Sequence, residues 1–116
     1  MDFNYNIEDK DGVSVVRLNG SLLDRQQVDG LLGEVEEFVL EGKTRFLIEM
    51  EHVKYINSTG LNVLVSILTK ARKAGGEVVI SCVSAKVKEL LVITKLIMVF
   101  VVTDSLEEGL SKFKKD

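Results

Sequence analysis

The chain has no proline and no tryptophan, and it contains one cysteine and one histidine. The lone Cys82 cannot form a disulfide within the chain, and the N-terminal segment has no positively charged region followed by an apolar stretch. Both features predict a protein of the reducing cytoplasm. Because Cys82 follows an apolar run and has no Cys-x-x-Cys partner, it is predicted to be a core or strand-end thiol rather than a nucleophile.

The single histidine, His52, lies beside Glu49 and Glu51, so a metal ligand or a general base has to be considered. A site built on histidine and cysteine needs more such ligands from separate elements, and the sequence offers no second histidine and no paired cysteine. We therefore predict no metal and no cofactor. His52 is predicted to be a loop or strand-end residue without a chemical role.

The chain also lacks a long apolar run and an excess of positive charge. The stretch from Leu90 to Val102 is interrupted by Thr94 and Lys95, and it falls short of the roughly 18 residues of a membrane-spanning helix. The net charge of −3 disfavours direct binding to nucleic acid, which depends on Lys and Arg. With 116 residues, of which 46% are hydrophobic, residues 1–116 are predicted to form a single globular domain.

Hydrophobic periodicity predicts an α/β fold, with an N-terminal β-hairpin followed by alternating helices and strands in a mixed, mostly parallel sheet with about four helices. The hairpin turns at Asp9-Lys10-Asp11-Gly12, and its second strand is predicted to break at Asn19-Gly20-Ser21. The remaining elements are predicted as a helix ending near Gly42, a strand over 45–50, a helix from about Ser58 to Lys73, a strand over 78–80, a helix capped by Ser84, a strand over 98–102 and a final helix from Asp104.

The sequence lacks the parts of an active site. The pair Gly75-Gly76 closes a helix and precedes a strand, whereas a phosphate-binding loop follows a strand and opens a helix. Without a nucleophile and base pair or a cofactor motif, an enzyme is not predicted.

The tetrapeptide Asn57-Ser58-Thr59-Gly60 joins strand-like residues to an amphipathic helix. A serine at such a junction is a natural N-cap, so Ser58 is predicted to accept a hydrogen bond from the first turn. Helix capping alone explains this residue, and a regulatory hydroxyl is the alternative.

A resemblance bears on that choice. The segment from Val53 to Leu64, which reads VKYINSTGLNVL, resembles the signature of bacterial anti-sigma factor antagonists, whose fold is the STAS domain. The segments 83–91 and 104–110 are similar to the third helix and the C-terminal helix of that family, and the segment 18–22 resembles the turn after its second strand. The likeness spans nearly the whole chain.

The resemblance implies that Ser58 is phosphorylated by an anti-sigma factor serine kinase, which is also the binding partner, with Thr59 as the alternative acceptor. The unphosphorylated form captures the kinase and releases the sigma factor, and a serine phosphatase resets the cycle. The partner is expected to contact an edge formed by Ser21, Leu22, Asp24, Asn57, Thr59, Gly60, Leu61, Asn62, Ser84 and Lys86, because these residues follow strands of one sheet.

Two residues depart from the family pattern. Asn57 stands where the family often has Asp, and the family's Leu-Asp pair after the second strand is displaced by one residue to Leu23-Asp24. An alternative function is a non-phosphorylated STAS adaptor subunit of a stress-signalling complex or a lipid-transport ABC complex.

Overall fold

The computed structural model describes residues 3–22 and 25–113. The strands are β1 (Asn4–Lys10), β2 (Val13–Leu22), β3 (Arg45–Ile56), β4 (Glu77–Ser81) and β5 (Val101–Thr103), and the α-helices are α1 (Arg25–Leu40), α2 (Ser58–Lys73), α3 (Ala85–Ile93) and α4 (Leu106–Ser111). The strands form one sheet in the order β1-β2-β3-β4-β5. The β1–β2 pair is antiparallel and the other pairs are parallel, which confirms the predicted fold class.

The hairpin turns at Asp11 and Gly12, which both have positive φ angles, of 54° and 86°. Lys10 pairs with Val13 across this two-residue turn, and Asp-Gly is a favoured sequence for it. The predicted break at residues 19–21 is wrong, since β2 continues to Leu22 with register shifts near Asn19 and Gly20. Gly20 takes a φ of +96°, which a glycine adopts within a strand without steric cost.

The two faces of the sheet are covered by different helices. The first face packs against α1, α2 and α3 in a core that includes Val16, Leu18, Val28, Leu31, Phe46, Ile48, Met50, Leu64, Ile67, Ile80, Val87 and Leu91. On the second face, Val13, Val15 and Leu47 pack against α4 and the turn after it, through Leu106, Leu110 and Phe113. Side chains of successive strand residues therefore alternate between two cores, which explains the nearly continuous apolar runs of the strands.

Strand β3 extends beyond its neighbour β4. The β3–β4 pairing ends at Glu49 and Ser81, while β3 continues beside β2 as far as Ile56. The end of β3 therefore projects past the sheet on one side and carries the start of α2 with it.

Two predicted boundaries near the C-terminus are wrong. The last strand is Val101–Thr103 rather than 98–102, because Lys95 takes a left-handed φ of 65° and residues Leu96–Met98 form a 3-10 turn. The last helix begins at Leu106 rather than Asp104, because the Ser105 side chain caps it by accepting from the Glu108 N–H at 3.1 Å. Within the described part of the chain, no helix is long and apolar enough to cross a membrane.

Candidate functional site

The junction between β3 and α2 places Asn57 and Ser58 in different roles. Asn57 has an extended backbone and is the N-cap of α2, since its Oδ1 accepts a hydrogen bond from the Gly60 N–H at 3.1 Å. The Leu61 N–H donates to the Asn57 carbonyl oxygen at 2.9 Å, as the first bond of the helix. The prediction that Ser58 caps the helix is therefore wrong.

Ser58 is the first residue of α2 and is exposed. Its hydroxyl forms no hydrogen bond with another residue among 3–22 and 25–113. The neighbouring hydroxyl of Thr59 belongs to a half-buried residue, so Ser58 is the more accessible of the two candidate acceptors. The junction thus presents a hydroxyl that the helix cap does not need.

The other predicted contact residues of this turn differ in exposure. Gly60 and Leu61 are buried and support the turn from beneath, whereas Asn62 is exposed on the first turn of α2. Ser58 and Asn62 are therefore the exposed residues of this turn.

Strand pairing brings the end of β2 beside the end of β3. Ser21 pairs with Tyr55 and Leu22 pairs with Ile56 in the parallel ladder. Ser21 is 1% exposed and its Oγ has no hydrogen-bond partner in the described structure, so its side chain lies beneath the surface rather than on it. Asp24, the other contact predicted after β2, lies outside the described residues.

The start of α3 lies next to the end of β3. Ser84 is the N-cap of α3 and accepts from the Val87 N–H at 3.2 Å, as predicted. Lys86 lines a groove of about 240 Å³, whose other lining residues are Lys54, Tyr55, Ile56, Val87, Glu89, Leu90 and Ile93. The end of β3 and the start of α3 therefore line one groove. We call the first turn of α2 and the start of α3 (57–62 and 84–86) the docking edge.

The groove contains a feature that the sequence did not reveal. Tyr55 is 55% exposed and Ile93 is 70% exposed, so two large apolar side chains of the groove face solvent. In the sequence, the only indication of this exposure is the charged Lys54 beside Tyr55. A charged residue at this position indicates that the end of β3 is not covered on every side. The groove thus combines exposed apolar side chains with two lysines and one glutamate.

Residues weighed for other chemistry lie away from this junction. His52 is exposed within β3 rather than in a loop, and Cys82 is half-buried directly after β4, where a strand-end thiol was predicted. Gly75 has a φ of +85° just after α2, which fits the predicted helix closure. None of the three belongs to the docking edge.

Comparison with known proteins settles the family. A sequence model of the STAS domain matches residues 4–109, which is most of the chain. The chain belongs to the STAS domain family. The resemblance inferred from the segment around Ser58 is therefore confirmed, and the Asn57–Ser58 junction lies inside the matched region.

Individual relatives of this STAS domain carry related names. BtrV of Bordetella bronchiseptica, named as a proposed anti-sigma factor antagonist, is 27% identical over 104 residues, which cover 90% of this chain and 89% of BtrV. A solved structure of a proposed anti-sigma factor antagonist from Thermotoga maritima superposes with a TM-score of 0.87 at 22% identity and covers 96% of this chain and 95% of its own.

A third structural relative is the Bacillus cell-fate determinant SpoIIAA, solved in a phosphorylated form. It has a TM-score of 0.77 and 16% identity, and the match covers 96% of this STAS domain and 100% of SpoIIAA. At these identities the solved structures show that the fold is shared.

Proposed function

We propose that this STAS domain is an anti-sigma factor antagonist, and that phosphorylation of Ser58 by an anti-sigma factor serine kinase switches off its binding to that kinase. The observation that carries the proposal is the division of roles at the junction. Asn57 caps α2 while the Ser58 hydroxyl is exposed. The hydroxyl can therefore be modified without removing the cap that holds the turn.

The relatives support the class of function. BtrV is named as a proposed anti-sigma factor antagonist, and SpoIIAA exists in a phosphorylated form. In this chain Ser58 lies in the segment that carries the family resemblance, and it is the most exposed hydroxyl of the tetrapeptide.

The local electrostatics favour a phosphate on Ser58. A phosphoserine carries about −1.5 to −2 charges at neutral pH. The N–H groups of the first helical turn lack acceptors within the helix, and the helix dipole is positive at this end. No acidic residue lies in the first turn of α2 to repel the new charge. The fold should therefore tolerate the modification.

The switch then acts on the docking edge. A hydrated dianion beside Asn62 has to be desolvated when a partner covers this surface, or it meets acidic groups of that partner. A loss of roughly 3 to 4 kcal/mol would weaken binding several-hundred-fold. The unphosphorylated form thus captures the kinase and releases the sigma factor.

In this proposal the protein is a substrate and adaptor rather than a catalyst. It acts as one STAS domain in the cytoplasm, without direct contact to nucleic acid. A serine phosphatase removes the phosphate and restores binding. Asn57, which replaces the family's usual Asp, removes one negative charge beside the acceptor and so changes the electrostatic match to the kinase.

The test compares Ser58→Ala with Ser58→Asp in binding to a purified cognate anti-sigma factor. We expect Ser58→Ala to bind as the unmodified protein does and Ser58→Asp to bind at least tenfold more weakly, since aspartate carries about half the charge of a phosphate. Thr69→Asp is the matched control, because Thr69 is exposed on the same helix about 16 Å further along its axis. Equal affinities of the two Ser58 variants would refute the switch.

A second measurement locates the phosphate. Incubation with the kinase and ATP should label the wild type and leave Ser58→Ala unlabelled. Label found on Thr59 would move the acceptor by one residue. Stable binding to a partner without any incorporation would favour the structural adaptor instead.

A further inference from the structure

The second face of the sheet carries a row of polar residues at its carboxyl end. Arg17 pairs with Glu49, Glu49 pairs with Ser81 and Ser81 pairs with Thr103, one residue from each of β2, β3, β4 and β5. Register partners in a parallel sheet point to the same side. On this same face, the apolar cluster of Val13, Val15 and Leu47 is covered by α4. The polar row lies next to that cluster, further toward the carboxyl ends of the strands.

Three potential metal ligands converge at this row. Carboxylate oxygens of Glu49 and Glu51 and the Sγ of Cys82 all lie within 4.8 Å of one another. Glu49 and Glu51 are two apart on β3 and so share a face, while Cys82 directly follows Ser81 at the end of β4. The Glu49 side chain is 11% exposed, Cys82 is half-buried and Glu51 is exposed, so the set is shielded on one side and open on the other.

A buried hydroxyl lies beside these ligands. Ser81 is 0% exposed, and its Oγ has no hydrogen-bond partner in the described structure. Because Ser81 is the register partner of Glu49, this hydroxyl points to the side on which the Glu49 carboxylate lies. An unpaired buried hydroxyl is unfavourable, and a polar or charged partner at this position would offset that cost.

The surrounding charge favours a cation. Glu8 also lies on this side and accepts from Arg17 Nη1 at 2.6 Å, while the Nε of Arg17 is 3.7 Å from the Oε2 of Glu49. The cluster thus contains three carboxylates and one guanidinium, and the closer contact of Arg17 is with Glu8.

We propose that Glu49, Glu51 and Cys82 form a binding site for a divalent cation that accepts mixed sulfur and oxygen ligands, with Zn²⁺ as the best match. Zinc takes thiolate and carboxylate ligands at about 2.0–2.3 Å in tetrahedral geometry, and three protein ligands leave the fourth position for water. A tetrahedral ion spaces its ligand atoms by roughly 3.3–3.8 Å, so the three groups would close inward by about an ångström. The Ser81 hydroxyl can donate to the Glu49 carboxylate and orient it, as supporting groups around metal ligands do.

Such an ion would join β3 to the turn after β4. Cys82 lies two residues before Ser84, the N-cap of α3 and part of the docking edge. The site is nevertheless independent of Ser58, and its test does not depend on any partner protein.

The test is a titration of the purified, fully reduced protein with Zn²⁺ by calorimetry, and with Cd²⁺ while ultraviolet absorbance from sulfur-to-metal charge transfer is recorded. We expect one ion per chain and a charge-transfer band. Cys82→Ser should abolish the band, and Glu51→Gln should weaken binding by at least tenfold while the band remains at saturation. Glu37→Gln, an exposed carboxylate on α1, is the matched control and should bind as the wild type does.

Two results would overturn the proposal. One is a Glu51→Gln variant that binds as tightly as the wild type, which would mean that Cys82 acts as an isolated thiol. The other is the loss of binding in His52→Ala with Glu51→Gln unaffected, which would place the ion on the neighbouring histidine. Circular dichroism of each variant establishes that it is folded. If Cys82→Ser does not fold, Glu51→Gln still tests the site, because Glu51 is exposed and its substitution should not disturb the fold.

Discussion

At the scale of single residues, the junction shows how two neighbouring polar side chains divide structural and functional roles. Asn and Ser are about equally good N-caps, so the sequence Asn57-Ser58 did not decide which of them caps α2. The decision depends on the backbone of Asn57, which is extended with φ −118° and ψ −168° and directs its side chain toward Gly60. Sequence patterns located the helix start to within one residue but could not assign the cap.

The cap can be tested by Asn57→Ala. Removing the Oδ1 acceptor leaves the Gly60 N–H without its partner, so the free energy of unfolding should fall by about 1 kcal/mol. Urea denaturation measures the change. Asn62→Ala is the control, since Asn62 is exposed within the same helix and alanine is the better helix former. A cap assignment to Ser58 instead would predict a loss in Ser58→Ala and none in Asn57→Ala.

Tyr5 provides a pH-dependent test at the same scale. Partial burial, together with the hydrogen bond that its hydroxyl donates to Glu34, raises the pKa of Tyr5 to about 12. Because the folded pKa exceeds the ordinary value of 10.0, the stability linked to this group is fully present below pH 10 and is lost as the pH rises toward 12.

Tyr5→Phe should therefore be less stable than the wild type below pH 10, and the difference should shrink between pH 10 and about 12. Urea denaturation at a series of alkaline pH values measures it. Tyr55→Phe is the control, because no carboxylate in the described structure accepts a hydrogen bond from Tyr55. A pH-independent difference for Tyr5→Phe would show that the phenol does not titrate abnormally.

At the scale of helices and strands, long periodic segments were predicted well and short apolar runs were not. The helix from Ser58 to Lys73 has the predicted bounds, because its apolar residues recur at helical spacing over four turns. The run from Leu90 to Val102 contains a helix end, a 3-10 turn and a strand, and apolar residues occupy all three. Lys95 divides this run because its backbone is left-handed. Lysine rarely adopts that conformation, so the residue type gives no indication that the run is divided there.

Alanine substitutions at two glycines test the packing of these elements, and they are expected to change the free energy of unfolding in opposite directions. A Cβ added at Gly76 would lie 1.9 Å from the carbonyl oxygen of Thr44, so Gly76→Ala has to displace the backbone between α2 and β4. We expect it to lower the free energy of unfolding by about 1–3 kcal/mol. At Gly33, within α1, nothing lies within 4 Å of the added Cβ, and Gly33→Ala should raise stability by up to about 1 kcal/mol. Thermal unfolding of both variants gives the comparison, and equal shifts would contradict the close contact at Gly76.

At the scale of the whole molecule, the pairing register of the strands determines which side chains are neighbours on a surface. This register cannot be read from a single sequence. Position after a strand predicts that residues 57–62 and 84–86 lie at one edge of the sheet. It was not enough to show that Ser21 is buried beside Tyr55, or that Glu49 and Ser81 are neighbours, because both facts depend on which residues pair between strands. A shift of one residue would have moved each side chain to the opposite face.

The docking edge yields a prediction about the charge of the partner, which depends on the proposed function. Lys86 and Lys54 line the groove beside the end of β3, with Glu89 as the opposing charge, so a partner segment that fits there gains from an acidic side chain. Lys86→Glu should lower the association rate constant for the anti-sigma factor several-fold, with an effect that diminishes as salt concentration rises. Surface plasmon resonance at two ionic strengths measures both quantities.

Lys43→Glu is the control, because Lys43 is exposed just before β3, at the opposite end of the sheet. Equal effects of the two substitutions would mean that net charge, rather than this edge, governs the encounter.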